Sequence, residues 1–214
     1  MSIYDIKISS WDGSESDVLA DYKGKVTLII NTTSDCGNAP QFGIIEQVYN
    51  EYKDQGFEVL AVPTNEYCGN GVTYGKWADN GITTAEESRS YAMEQYDVSY
   101  KFTELVNSNP GEGWYKQLPE GEVPHELFDT LSKLSGTFMF GNFEKYLVDR
   151  DGNLIKRYPN GTLLDYAKDN GATGIGSAEE ELAILKADIE KALAGEQLDW
   201  NAADFHTNYQ VVTA

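Results

Sequence analysis

Two continuous apolar runs, Val26-Thr-Leu-Ile-Ile30 and Phe57-Glu-Val-Leu-Ala-Val62, flank a single amphipathic stretch, and that arrangement limits the fold more than anything else in the chain. A strand with apolar residues at successive positions is covered on both faces, as in a parallel sheet with helices above and below. Between the runs, Phe42, Ile45, Val48, Tyr49 and Tyr52 recur at helical spacing after Pro40, a natural first-turn residue, and Gly56 supplies the stop. The reading is a βαβ unit with parallel strands and a right-handed crossover. Open α/β sheets place their sites at the carboxyl ends of such strands, and here that end leads into Ser34-Asp-Cys-Gly37.

A cysteine between a buried strand and a helix is a candidate nucleophile. Unpaired N–H groups and the positive end of the dipole at a helix mouth favour the thiolate, the reactive form. The alternative for Cys36 is a small apolar packing residue.

The rest of the chain extends the α/β pattern. Ile3 to Ile8 alternates weakly before the turn residues Asp12-Gly13, and Cys68 to Thr84 reads as a long surface loop. Thr84-x-x-Glu87 is a capping box for a helix to about Tyr96. After a glycine- and proline-bearing stretch from Asn107 to Val123, Leu127, Phe128, Leu131 and Leu134 form a helix stopped by Gly136. Phe143 to Val148 and Leu154 to Tyr158, joined through Asp151-Gly152, carry a hairpin signal. Ser177-x-x-Glu180 caps a final amphipathic helix. With 214 residues, 41% of them hydrophobic, one domain is expected over 1–194, followed by a tail at 195–214.

Charge and cysteine usage set the expected partners and compartment. A formal net charge of −19 repels nucleic acid and anionic membrane surfaces. Two cysteines are too few for a secreted disulfide framework, and Met1-Ser-Ile-Tyr-Asp lacks a basic and apolar leader, so a cytoplasmic setting is expected. His125 and His206 belong to no catalytic string. Asp149-x-Asp151-Gly152 has its glycine two positions early for a calcium loop and is read as a hairpin turn. No metal-ligand spacing or phosphate-cradling loop is found, so no cofactor is expected.

Three strings in order, Gly24-Lys-Val through Ser34-Asp-Cys-Gly37 to Gln41-Phe42, Tyr52-Lys-Asp-Gln-Gly-Phe-Glu-Val-Leu-Ala-Val-Pro-Thr-Asn65, and Asn142-Phe-Glu-Lys-Tyr-Leu-Val-Asp-Arg-Asp-Gly152 with Arg157-Tyr158, together resemble the glutathione peroxidase family, thiol peroxidases on a thioredoxin-like fold. The resemblance implies a central mixed β-sheet flanked by α-helices. It also implies attack of a thiolate on a peroxide, followed by reduction of the sulfenic acid by glutathione or a thioredoxin-type protein. Of the four positions that carry this chemistry in typical members, the cysteine maps to Cys36 and the asparagine to Asn142.

The other two positions depart. Glu66 stands where the family has glutamine, replacing a donor with a group that only accepts when ionised. Gly141 replaces the tryptophan, which leaves the pocket more open or calls on Trp77 or Trp114 to fill it. Asp35 adds another negative neighbour, and carboxylates near a thiolate raise its pKa. The usual second cysteine is missing from Ala92-Met93-Glu94, so Cys68 is the candidate resolving thiol, with direct attack by an external thiol as the alternative. The same residues also suit two rival functions: a non-enzymatic binding or redox-sensing module, and a dithiol oxidoreductase cycling Cys36 with Cys68.

Overall fold

A computed structural model describes residues 2–34, 36–64, 84–108, 123–136, 139, 141–164 and 177–202. Its sheet has five strands, β1 (Val26–Thr32), β2 (Phe57–Pro63), β3 (Lys101–Phe102), β4 (Lys145–Val148) and β5 (Leu154–Tyr158), in the order β3-β2-β1-β4-β5. The βαβ reading holds: β1 and β2 pair in parallel from Val26↔Phe57 to Thr32↔Pro63, joined through α1 (Gln41–Tyr52). The hairpin holds too, with β4 antiparallel to both β1 and β5. Helices α2 (Ala85–Tyr96), α3 (Glu126–Ser135) and α4 (Ala178–Ala194) complete the layers, and α2 and α4 open on the two expected capping boxes. His125 is the N-cap of α3, its Nδ1 accepting from the Leu127 N–H.

Every residue of β1 is buried because both faces of the sheet are covered. On one face Val26, Leu28 and Ile30 join Phe42, Ile45 and Val48 of α1 and Leu185 and Ile189 of α4. On the other, Ile29, Leu60 and Tyr146 meet Leu127, Phe128 and Leu131 of α3 together with Ile3, Ile6 and Ile8. Side chains of this size each contribute about 1.5–3 kcal/mol on full burial, so β1 is held from both faces of the sheet. Packing continues past the end of α4, where Leu198 is buried in the first cluster.

Two elements differ from expectation. The weakly alternating N-terminal segment makes a 3-10 turn at Ile3–Asp5, and it is held by the Tyr4 hydroxyl, which lies within 2.7–2.9 Å of the Lys25 carbonyl, Thr27 Oγ1 and the Asp149 carbonyl. Strand β3 has only two residues, too few to show a period.

The interior beneath the hairpin is charged. Arg157 and Glu144 form a fully buried ion pair, with Arg157 Nε donating to Glu144 Oε2 at 2.7 Å. Lys145 is also fully buried, donating to Thr162 Oγ1 at 2.7 Å and to the carbonyls of Pro159 and Thr162 at 3.2 and 3.3 Å. Burial pushes its pKa down from 10.5 to about 7, against the opposing pull of Glu181 and Glu144. Between these two values the unfolded chain binds the proton and the folded chain does not. Stability therefore rises with pH from about 7 toward 10.5, by up to about 1.4 kcal/mol per pH unit for this group. Urea unfolding at pH 7, 8 and 9 should show that slope, and Lys145→Met should flatten it.

Candidate active site

The polar residues that end β1 build the site. Asn31 staples the segment before β4: its Nδ2 donates to the Gly141 carbonyl at 2.9 Å, its Oδ1 accepts the Glu144 N–H at 2.9 Å, and its carbonyl accepts the Phe143 N–H at 2.8 Å. Phe143 adopts φ +63°, a left-handed backbone that costs a non-glycine residue energy, while its ring packs edge-on against Phe42 at 4.8 Å. That kink, held by a buried aromatic anchor, turns Asn142 toward the end of β1. Thr33 Oγ1 lies 2.9 Å from Asn142 Oδ1 and 3.1 Å from the Thr64 carbonyl. The ends of β1 and β2 and the segment entering β4 thus converge at one hydroxyl.

Cys36 is partly exposed and packs against the first core cluster. Its carbonyl accepts the Ala39 N–H at 2.9 Å, and the Asn38 carbonyl accepts the Gln41 N–H at 3.0 Å, so a turn separates the thiol from α1. The helix itself begins at Gln41. Because a helix dipole acts mainly within its terminal turn, its effect on Cys36 is smaller than the sequence placement implies. The turn is tied to the candidate asparagine, since Asn38 Nδ2 donates to the Asn142 carbonyl at 3.3 Å. Helix α2 is anchored beside it, with Ser34 Oγ and Ser88 Oγ 2.8 Å apart.

Of the four candidate residues, Cys36 and Asn142 are brought to this junction. Glu66 and Cys68 lie outside the described residues, as do Asp35, Trp77 and Trp114. Thr64, two positions before Glu66, is pinned by its N–H to the Thr32 carbonyl at 2.8 Å. The Gly141 position is not simply vacated. A Cβ built there would lie 2.5 Å from Nδ2 of Asn160, so the amide of Asn160 occupies the start of the path a side chain at 141 would take. Asn31, Thr33, Gln41 and Asn160 were not singled out by sequence. The polar run Asn31-Thr-Thr-Ser34 immediately after Ile30 was the available signal for the first two.

A mixed sheet in this order, with a reachable cysteine after its central strand, defines a thioredoxin-like redox protein. The crystal structure of Trgpx in apo form superposes with a TM-score of 0.59 at 25% identity, covering 92% of this chain and 99% of that one. A thioredoxin-family thiol:disulfide interchange protein from Chlorobium tepidum TLS, 14% identical, shares the fold with a TM-score of 0.52 over 88% of this chain and 92% of its own. Residues 3–118 match the glutathione peroxidase family model. The glutathione peroxidase of Lactococcus lactis subsp. cremoris (strain MG1363) is 34% identical over 163 residues, spanning 74% of this chain and 89% of that protein. The chain belongs to the glutathione peroxidase family and is a thiol-dependent peroxidase, which does not favour a non-enzymatic module or a dithiol oxidoreductase. Among the described residues, no helix is long and apolar enough to cross a membrane.

Proposed function

We propose that Cys36 is the peroxidatic nucleophile and Asn142 its hydrogen-bond partner, acting on hydrogen peroxide or small organic hydroperoxides. The observation that supports this reading best is the hydrogen bond from Asn38, on the Cys36 turn, to the Asn142 carbonyl, which holds the two segments together across the sheet. The Cys36 thiolate attacks the distal peroxide oxygen and the O–O bond breaks. The departing oxygen takes a proton and leaves as water or alcohol, and the sulfur, oxidised by two electrons, becomes a sulfenic acid. Backbone N–H groups near Gly37 and Asn38 supply donors for the developing negative charge in this reading. A thiol then attacks the sulfenic sulfur, releasing water and forming a disulfide, which a further thiol opens to restore Cys36.

Cys68 is proposed as the first of these thiols, with glutathione or a thioredoxin-type protein supplying the rest. Glu66 is the altered third position of the site. The unit carrying the chemistry is taken as residues 1–194 and the setting as cytoplasmic, in keeping with the two cysteines of the chain.

Mixing the reduced protein with hydroperoxide and reading intact mass at short times tests the assignment. Wild type should lose two hydrogens as the Cys36–Cys68 disulfide forms, and Cys68→Ser should instead gain one oxygen on the Cys36 peptide. An oxygen adduct in the wild type at the same rate would remove Cys68 from the cycle and leave an external thiol as the resolving group.

A further inference from the structure

We propose that Asn160 is a residue of the peroxide pocket, its side-chain amide donating to the bound hydroperoxide beside Asn142. The inference rests on the assignment of Cys36 and Asn142 above and adds a residue from a different part of the chain. Asn160 follows β5, and its amide nitrogen lies 2.5 Å from where a Cβ on Gly141 would sit, next to Asn142 in sequence. Its own carbonyl accepts from Gln41 Nε2 at 2.8 Å. The Cys36 to Gln41 turn is therefore bonded at Asn38 to the Asn142 segment and at Gln41 to the Asn160 loop. The two asparagines flank the turn that carries the thiol.

Two further observations point the same way. The loop is largely buried and firmly fixed: besides Gln41, buried Lys145 holds the carbonyls of Pro159 and Thr162, and Glu181 of α4 accepts the Leu163 N–H at 2.9 Å. Despite that, the Asn160 side-chain amide makes no hydrogen bond of its own among the described residues, and the residue is only partly buried, so its two N–H donors are available to a ligand. The same corner contains Gln41 Oε1, a buried acceptor with no partner among the described residues. A loop whose backbone is fixed by three elements, with its side-chain amide engaged by none of them, is arranged to bind something that arrives.

The test measures the second-order rate constant for oxidation of Cys36 in the reduced full-length protein, using hydrogen peroxide and cumene hydroperoxide. Asn160→Ala removes the donor, and Gly141→Ala leaves Asn160 intact but displaces its amide by adding the Cβ. Each should slow oxidation about tenfold, the effect expected for one lost hydrogen bond to a reacting group, and the double variant should lose no more than either single one. The isosteric Asn160→Asp replaces donors with a negative charge and should move the pH midpoint of Cys36 oxidation upward, a readout that a merely structural role does not shift. Wild-type rate constants in both alanine variants, or losses that multiply in the double variant, or an unmoved midpoint in Asn160→Asp, would overturn the proposal. If wild-type protein itself fails to oxidise at Cys36 in this assay, the assignment of the nucleophile falls instead.

Discussion

Cys36→Ser should abolish thiol-dependent peroxide consumption, lowering turnover by roughly three orders of magnitude or more, the scale on which removal of an enzyme nucleophile is felt. Serine keeps nearly the same shape, so the turn whose carbonyl accepts the Ala39 N–H is retained. The chemistry is lost because a hydroxyl is not ionised near neutral pH and its oxygen cannot accept the two-electron oxidation that sulfur undergoes. Coupled assays with glutathione and with a thioredoxin system, each run on wild type and variant, provide the check and also identify the reductant. Substantial residual turnover in Cys36→Ser would transfer the nucleophile's role to the remaining cysteine, Cys68.

The largest effect on stability should come from the ion pair behind the site. Glu144 and Arg157 have side chains 1% and 0% exposed. Arg157 Nη1 also donates to Ser135 Oγ at 2.9 Å, and its guanidinium lies 5.2 Å from the Tyr146 ring centre. Glu144→Gln removes the carboxylate charge that the buried guanidinium donates to, and half-broken pairs of this kind cost about 3–5 kcal/mol. For a chain of this size the melting temperature should fall by about 6–20 °C. Replacing both partners, as Glu144→Leu with Arg157→Met, should recover much of the loss because neither charge then needs compensation. Ser135 retains a partner in that variant, since its Oγ already donates to the Leu131 carbonyl at 2.7 Å. Thermal unfolding of the three proteins decides this, and a loss in the double variant equal to that in Glu144→Gln would show that shape rather than charge is being measured.

The parts of this fold legible in the sequence are those written in local patterns. Val26 to Ile30 and Phe57 to Val62 are strands because an uninterrupted apolar run suits an element covered on both faces, and Thr84 and Ser177 mark helix starts because their capping partners sit three residues on. The N-terminal turn was missed because Ile3, Ile6 and Ile8 are buried by a sheet face contributed from elsewhere, which a two-residue alternation mimics. Cys36 and Asn142 were legible through the family strings, but Asn31, Thr33 and Asn160 were not. Their roles depend on contacts between positions such as 33 and 142, separated by 109 residues, and no local window carries that information.

That separation also bears on how the protein is made. As the chain leaves the ribosome, β1, α1 and β2 are complete long before β4 is synthesised, so the cysteine emerges well ahead of the asparagines that flank it. Pairing of Thr27 with Val148 and Ile30 with Lys145 closes the sheet late, and long-range closures of this kind are the slow steps of folding. Until the C-terminal hairpin zips onto the central strand, the segments that carry Asn142 and Asn160 have not yet met the turn of Cys36 to Gln41.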